Sequence, residues 1–185
     1  MGDRKRIGIL TSGGDAPGMN AAIRASVRAA LDIGYEVYGI NRGYAGLLDK
    51  DFQPMNSNML AEILGSGGTN LRTSRSEIYK TSARLKRATE ILEEYHIDTL
   101  IVIGGDGSLT GALMLSRLGV KVVGMPGTID NDFGASDYTI GFDTAVSTAI
   151  DAISKIRDTT FSHNRINIVQ VMGRSCGDIA LYAGI

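Results

Sequence analysis

Short runs of apolar and β-branched residues alternate along the chain with longer segments in which apolar residues recur every three to four positions. The short runs are typical of buried strands, and the longer segments are typical of helices that pack one face on a core. This alternation predicts βα units and a mainly parallel sheet with helices on both faces, which is a doubly wound, Rossmann-like α/β fold. The predicted strands span 6–10, 36–41, 99–103, 121–124 and 167–171, and the predicted helices span about 21–32, 81–95, 108–118 and 144–159.

Glycine-rich, acid-bearing stretches follow four of these strands. They read TSGGDAPGMN (11–20), GGDGSLTG (104–111), PGTIDND (126–132) and MGRSCGD (172–178). The carboxyl ends of parallel strands share one edge of the sheet, where open α/β sheets bind ligands. Glycine turns that lead into helix N-termini suit phosphate, because backbone N–H groups can approach the anion. A single such turn could equally be a plain tight turn, but four together predict one site for a phosphorylated ligand.

The stretch GTIDND places two carboxylates, Asp130 and Asp132, on either side of Asn131 at the end of a buried strand. Carboxylates this close repel each other and are costly to desolvate. We therefore expect a cation or a proton-bearing group beside them.

Composition narrows the function classes. The chain has 185 residues, 19 basic and 20 acidic side chains and a formal charge of −1, so we expect neither a nucleic-acid partner nor a polyanion-binding surface. The single Cys176 cannot form an internal disulfide, and the two histidines give no zinc-ligand spacing. With no apolar run of signal-peptide or membrane-span length, we expect a soluble, cytoplasmic protein and no membrane partner.

Familiar nucleotide motifs do not account for the glycines. Gly13 and Gly18 have the separation of a P-loop, but Met19 and Asn20 stand where lysine and a hydroxyl residue are required. No G-x-G-x-x-G follows the first strand, which argues against a dinucleotide site.

Five motifs, in order, resemble the bacterial ATP-dependent 6-phosphofructokinases. They are TSGGDAPGMNAAIR (11–24), IGGDGS (103–108), PGTIDND (126–132), YTIGFDTA (138–145) and VMGRSCGD (171–178). GGDG alone is also similar to NAD kinases and diacylglycerol kinases, whereas PGTIDND and VMGRSCGD at these separations are highly specific. The resemblance implies a phosphofructokinase-type sheet, with a nucleotide-binding lobe over 1–140 and the start of a sugar-phosphate lobe, itself α/β, over 141–185.

The resemblance also implies a reaction: transfer of the ATP γ-phosphate to the 1-hydroxyl of fructose 6-phosphate, giving fructose 1,6-bisphosphate and ADP. Asp130 would be the base, Asp106 would hold Mg²⁺, and Asp132 would lie near the metal and its waters. The residues implied in catalysis are Asp130, Thr128, Arg75 and Arg174. Those implied in ATP binding are Gly13, Arg75, Ser76, Gly105, Asp106, Gly107 and Ser108. Those implied in sugar binding are Thr128, Ile129, Asp130, Arg165, Met172, Gly173 and Arg174.

Regulation and assembly are implied in the same way. Arg24 and Arg28 share a face of the first predicted helix, and with Arg157 they match positions that bind an allosteric nucleotide or phosphoenolpyruvate. The resemblance implies a homotetramer in which Arg165 serves the neighbouring subunit. One arginine of the family's effector site is replaced by Ser57, which predicts weakened effector control.

Two alternatives remain open. Pyrophosphate-dependent relatives usually carry an aspartate where this chain has Gly107 and a lysine where it has Gly127, so the small residues favour ATP. Family members run well past residue 185, so the other alternative is a catalytically inactive nucleotide-binding fragment.

Overall fold

The computed structural model describes residues 5–76 and 81–185, apart from the side chain of Leu64. Six strands form one sheet, in the spatial order β3-β2-β1-β4-β5-β6. The strands are β1 (Arg6–Ser12), β2 (Glu36–Ile40), β3 (Phe52–Pro54), β4 (Thr99–Gly104), β5 (Lys121–Thr128) and β6 (Ile140–Gly141). All neighbours pair in parallel except β3, which is antiparallel to β2. This is a doubly wound order, and its direction reverses between β1 and β4.

Helices connect the strands and cover the sheet. They are α1 (Met19–Asp32), α2 (Gly43–Leu48), α3 (Ser57–Glu62), α4 (Ser82–Glu94), α5 (Asp106–Arg117), α6 (Phe142–Ser162) and α7 (Asp178–Gly184), with a 3-10 turn at Ile63–Gly65. Gly18 and Gly141, which precede α1 and α6, have φ of 88° and 108°. Glycine reaches this left-handed region without strain, so each turn can lead directly into its helix.

Two hydrophobic clusters lie on opposite faces of the sheet. Ile9 packs with the side chains of α1, while its neighbour Leu10 packs with those of α2, α4 and α5. Ile101 and Val102 divide between the clusters in the same way. Because successive strand residues point to opposite faces and both faces are buried, the strands read as continuous apolar runs. The expected doubly wound α/β fold is confirmed.

A smaller cluster joins α6 to α7 through Phe142, Val146 and Ile179. Ile129, just after β5, packs against both this cluster and the core around α1. The residues after β5 are therefore anchored between two packed units.

The strand predicted at 167–171 is wrong. This stretch has no regular structure, and Ile166 and Ile168 are 93% and 96% exposed. Its β-branched residues suit a strand, but within the described residues no strand lies beside it to complete the ladder. The other predicted strands and helices agree with the structure to within a few residues, and β3, β6, α2 and α3 were not predicted. The division into lobes at 140/141 stays a prediction.

Candidate active site

The carboxyl ends of β1, β4 and β5 surround a cleft of about 880 Å³. The structure brings all four glycine-rich junctions to it. Its lining consists of Gly13, Gly14 and Asp15 after β1, Arg75 and Ser76 before α4, Gly105, Asp106, Gly107 and Ser108 at the start of α5, Ile129, Asp130 and Asp132 after β5, and Gln170, Val171, Met172, Gly173 and Arg174 before α7.

One wall of the cleft is the N-terminus of α5. The carbonyl oxygen of Gly105 accepts from Ser108 N and Leu109 N, which closes the first turn. A Cβ on Gly104 would lie 2.4 Å from Ser12 O, so only glycine allows β1 and β4 to meet this closely. Unpaired N–H groups and the helix dipole favour an anion at such a terminus.

A buried tyrosine supports this helix start. The Tyr44 hydroxyl donates to the backbone oxygen of Ser108 over 2.7 Å. Burial raises the pKa of Tyr44, so the hydroxyl keeps its proton and remains a donor. No motif predicts this contact, which joins residues 64 positions apart.

The carboxylate pair Asp130 and Asp132 also lines the cleft. Burial raises the pKa of Asp130, the charge of Asp132 raises it further, and the Arg174 guanidinium opposes both effects. The expected mutual repulsion and a nearby cation are thus both present. A carboxylate whose pKa is raised is a stronger proton acceptor than an ordinary aspartate.

Asn131 fixes the backbone between the two carboxylates. Its φ is 52°, a conformation that asparagine tolerates better than most residues. Its side-chain oxygen accepts from Thr139 N at 3.1 Å, and its side-chain nitrogen donates to Asp178 Oδ2 at 3.2 Å. The side chain of Asn131 is therefore bonded to the segment before β6 and to the start of α7, while its two neighbours line the cleft.

Arg75 and Ser76 reach the cleft through backbone contacts with the first turn. Gly13 N donates to Ser74 O at 3.1 Å, and the Thr73 hydroxyl donates to Gly13 O at 3.0 Å. The residue just before Arg75 is thereby held beside the phosphate-suited glycines.

Five predicted site residues do not line the cleft. Thr128 lies just behind it, where its hydroxyl accepts from Asp130 N at 3.1 Å. Arg165 is exposed in the irregular stretch after α6. Arg28 lies 4.0 Å from Asp32 on α1, and Arg157 is exposed on α6. The buried Arg24 Nε has no hydrogen-bond partner among the residues that the structure describes. The roles assigned to all five stay predictions.

Gly14, Asp15, Gln170 and Val171 line the cleft without having been predicted. Gly14 and Asp15 stand inside the GGD motif itself, which was a usable signal. Asp15 also accepts from Thr69 N at 3.2 Å. Gln170 and Val171 both lie within the wrongly predicted strand 167–171, which places them in the sheet rather than at the site.

The donor set at the cleft suits Mg²⁺. Among the residues that the structure describes, no three His, Cys, Asp or Glu side chains are grouped closely enough to hold a metal ion by themselves. Mg²⁺ commonly takes only one or two carboxylates and completes its shell with phosphate oxygens and water. Asp106, at the start of α5, provides such a carboxylate at a helix N-terminus that lines the cleft.

Fold and cleft together define a doubly wound α/β protein in which glycine-rich turns suited to phosphate share a sheet edge with a carboxylate pair. The chain belongs to the phosphofructokinase family: the family model described as "Phosphofructokinase" matches residues 6–185.

Curated relatives agree with this membership. The chain is 62% identical over 181 residues to an ATP-dependent 6-phosphofructokinase of Clostridioides difficile (strain 630), and 59% identical over the same length to one of Clostridium botulinum (strain Eklund 17B / Type B). Each match covers 98% of this chain and 57% of the relative. The chain therefore spans a little more than half the length of these relatives.

Solved structures agree on the fold. Phosphofructokinase from Saccharomyces cerevisiae superposes with a TM-score of 0.89 at 37% identity, over 98% of this chain and 28% of that chain. A pyrophosphate-dependent phosphofructokinase from Marinobacter aquaeolei superposes with a TM-score of 0.76 at 21% identity, over 97% of this chain and 49% of that chain, and supports the fold alone.

No helix among residues 5–76 and 81–185 has both the length and the apolarity needed to cross a membrane.

Proposed function

We propose that this chain forms the nucleotide-binding part, and part of the sugar site, of an ATP-dependent 6-phosphofructokinase. The observation that carries the proposal is the position of Asp130. Its pKa is raised, and it lines the same cleft as the anion-binding start of α5 and the Gly13 turn. A proton acceptor and a phosphate cradle in one cleft are what phosphoryl transfer to a hydroxyl requires.

In the proposed reaction, Asp130 accepts the proton of the fructose 6-phosphate 1-hydroxyl. The hydroxyl oxygen forms a bond to the γ-phosphorus of ATP while the bond from that phosphorus to the β-γ bridging oxygen breaks, which releases ADP. Backbone N–H groups of Gly13 and of residues 105–108 hold the ATP phosphates. Arg75 and Arg174 stabilise the negative charge of the transferring group. Bound at Asp106, Mg²⁺ supplies counter-charge to the phosphates.

Two glycines favour ATP over pyrophosphate. Gly107 lines the cleft, where a carboxylate would repel the α-phosphate of a nucleotide. Gly127 is buried, and a Cβ there would lie 2.9 Å from Ile103 Cγ2. A lysine at this position would require the core to move. The names of the two curated relatives described above support the same choice of donor.

We further propose that the functional protein is a cytoplasmic homotetramer, as the resemblance implies. Arg165 is exposed and outside the cleft of its own chain, which agrees with a role at the sugar phosphate of a neighbouring subunit. Arg24, Arg28 and Arg157 would form an effector site for a nucleotide or phosphoenolpyruvate. Ser57, exposed at the start of α3, supplies no cation to that site, so we propose at most modest activation by ADP.

The test is a direct assay of a protein of the relatives' length that carries this sequence. We expect it to convert fructose 6-phosphate to the bisphosphate with ATP and Mg²⁺, and to lose activity when the metal is chelated. Inorganic pyrophosphate in place of ATP should give no product. Efficient turnover with pyrophosphate would reject the assignment made from Gly107 and Gly127.

A second measurement uses the 185-residue chain by itself. We expect it to bind MgATP weakly and to show no turnover, because its sugar site holds few cationic side chains. Full turnover by this chain alone would show that its own residues complete the sugar site.

A further inference from the structure

The residues between the 3-10 turn and Ser76 form an irregular segment that ends at the cleft. Residues 66–76 have no helix or strand, yet they deliver Arg75 and Ser76 to the cleft wall. An irregular backbone is held in place only by its individual contacts. The contacts of this segment therefore determine where the Arg75 guanidinium lies.

Two buried side chains, Thr11 and Asn20, hold this segment by hydrogen bonds, and we call them tethers. Thr11, the first tether, belongs to the central strand β1. It is fully buried, and its hydroxyl donates to the backbone oxygen of Arg72 at 2.8 Å. The same hydroxyl lies 3.1 Å from the Thr69 hydroxyl. Both of these hydrogen bonds of the Thr11 hydroxyl are therefore made to the irregular segment.

The second tether, Asn20, comes from the first turn of α1. Only 8% of the residue is exposed. Its side-chain nitrogen donates to Ser66 O at 3.0 Å and to Gly68 O at 2.8 Å, and its side-chain oxygen accepts from Asn70 N at 2.8 Å. A buried amide with both of its donor hydrogens and its oxygen engaged is costly to disturb.

The two tethers act on the position of Arg75 through the backbone of residues 71–74. Leu71 is buried between them, and its backbone oxygen accepts from Arg42 N at 2.8 Å. Two residues after Arg72, Ser74 pairs with Gly13 of the cleft. A shift of the segment would therefore displace Arg75 relative to Gly13.

We infer that Thr11 and Asn20 are positioning residues, which hold the segment 66–74 so that Arg75 and Ser76 face the phosphates of the nucleotide. The inference rests on the proposed function, because it concerns MgATP at this cleft. Neither side chain lines the cleft, so each acts through the segment. The alternative is that both are ordinary buried polar groups that support the fold as a whole.

The experiment measures MgATP affinity by calorimetry on the 185-residue chain. Thr11→Val removes the donor with almost no change of shape, and Thr11→Ser keeps the hydroxyl. Thr89→Val is the matched control, since the Thr89 hydroxyl bonds to Leu85 O inside α4, away from the cleft. We expect Thr11→Val to weaken binding about tenfold, the effect of one lost hydrogen bond to a buried acceptor. Thr11→Ser should restore most of the affinity, and Thr89→Val should not reduce it.

A double-mutant cycle separates positioning from general support. In an Arg75→Ala background, Thr11→Val should cause a clearly smaller loss of affinity, because one of the two groups that it positions is absent. An equal loss in both backgrounds, or no loss in either, would overturn the inference.

Asn20→Asp provides a second route if Thr11→Val does not fold. It retains the acceptor for Asn70 N and loses both donated bonds, and it should show the same dependence on Arg75. Amide hydrogen exchange in each variant should speed up in residues 66–74 and stay unchanged in β4. If the unaltered chain binds no MgATP, the proposed function fails, and the exchange data then decide whether the tethers hold the segment. Unchanged exchange in residues 66–74 would reject the tethers.

Discussion

Three features of its surroundings set the pKa of the Asp130 carboxyl group. Burial and the charge of Asp132 favour the protonated form, while Arg174 favours the ionised form. In the proposed reaction the ionised form accepts a proton and the neutral form carries it. An environment that leaves both forms accessible suits a base.

We expect Asp130→Asn to reduce turnover by about 10²–10⁴-fold, which is the usual contribution of a general base. MgATP binding should change little, because the N–H groups at Gly13 and at the start of α5 are intact. Steady-state kinetics on a protein of the relatives' length, with calorimetry of MgATP binding, would measure both. Asp137→Asn, on an exposed residue outside the cleft lining, is the control. Near-normal turnover in Asp130→Asn would remove this side chain from the mechanism.

The same substitution should stabilise the fold. The pKa of Asp130 is raised above its ordinary value of 3.8, so the folded protein binds this proton more tightly than the unfolded chain does. Stability therefore falls as the pH rises from 3.8 through the folded pKa, and the penalty is fully present above that pKa. Asp130→Asn should raise the free energy of unfolding at neutral pH, and the gain should vanish below pH 3.8.

Denaturant unfolding at several pH values would measure this gain. Asp158→Asn, which removes the same charge from an exposed position on α6, is the matched control. Equal gains from both variants would assign the effect to overall charge rather than to the surroundings of Asp130.

Individual site residues were predictable where a motif marks them. Gly13, Asp106, Asp130 and Arg174 all stand in local motifs, and the structure places all four in the lining of the cleft. Thr11, Asn20 and Tyr44 could not be assigned in this way, because their partners lie 46 to 64 positions away along the chain. Such contacts exist only once the sheet and its loops are assembled.

At the scale of elements, α2 packs unusually close to the end of β2. A Cβ on Gly46 would lie 1.6 Å from the backbone oxygen of Asn41. The obstacle is backbone, so no change of rotamer can relieve it. The same helix carries Tyr44 to the carbonyl of Ser108, and so the packing of α2 also affects the cleft.

We expect Gly46→Ala to destabilise the protein by at least about 1–3 kcal/mol, the typical cost of overpacking. Equilibrium unfolding in urea would measure it. Gly134→Ala is the control, since nothing lies within 4 Å of a Cβ at Gly134. A wild-type midpoint for Gly46→Ala would mean that α2 can move away from Asn41 at little cost.

Elements were predictable in proportion to their length. The main strands carry apolar runs, and the long helices carry a repeating apolar face. β3 and β6 have three and two residues, too few to show any period. The stretch 167–171 is rich in β-branched residues, which favour a strand. A strand also needs a neighbouring strand to pair with, and the residue types of the stretch do not reveal whether one is present.

At the scale of the whole molecule, apolar side chains are exposed along one stretch of the chain. Phe161, Ile166 and Ile168 are 89%, 93% and 96% exposed. Large apolar groups gathered in this way mark a surface that associates with other protein. Residues 166–171 also lie outside every strand that the structure describes, which leaves their backbone open to strand pairing.

We expect the 185-residue chain to self-associate in a concentration-dependent way. Sedimentation velocity should show species larger than 19.7 kDa that diminish in an Ile166→Asp, Ile168→Asp variant. Ile33→Asp is the control, because Ile33 is 66% exposed at the end of α1, away from this stretch. A monomer at all concentrations would show that the exposed stretch does not drive association.

The position of β1 at the middle of the sheet has a consequence for biosynthesis. β1 leaves the ribosome well before its partner β4, because Arg6, whose N–H bonds to Asp98, precedes that residue by 92 positions. At roughly 5–20 residues per second, one side of β1 stays open for about 5–20 s while translation continues. We expect nascent chains arrested before Thr99 emerges to bind chaperones and to be cut by protease far more readily than chains arrested after β5. Equal sensitivity to protease at both lengths would mean that the ribosomal exit tunnel or a transient binding partner protects the unpaired edge of β1.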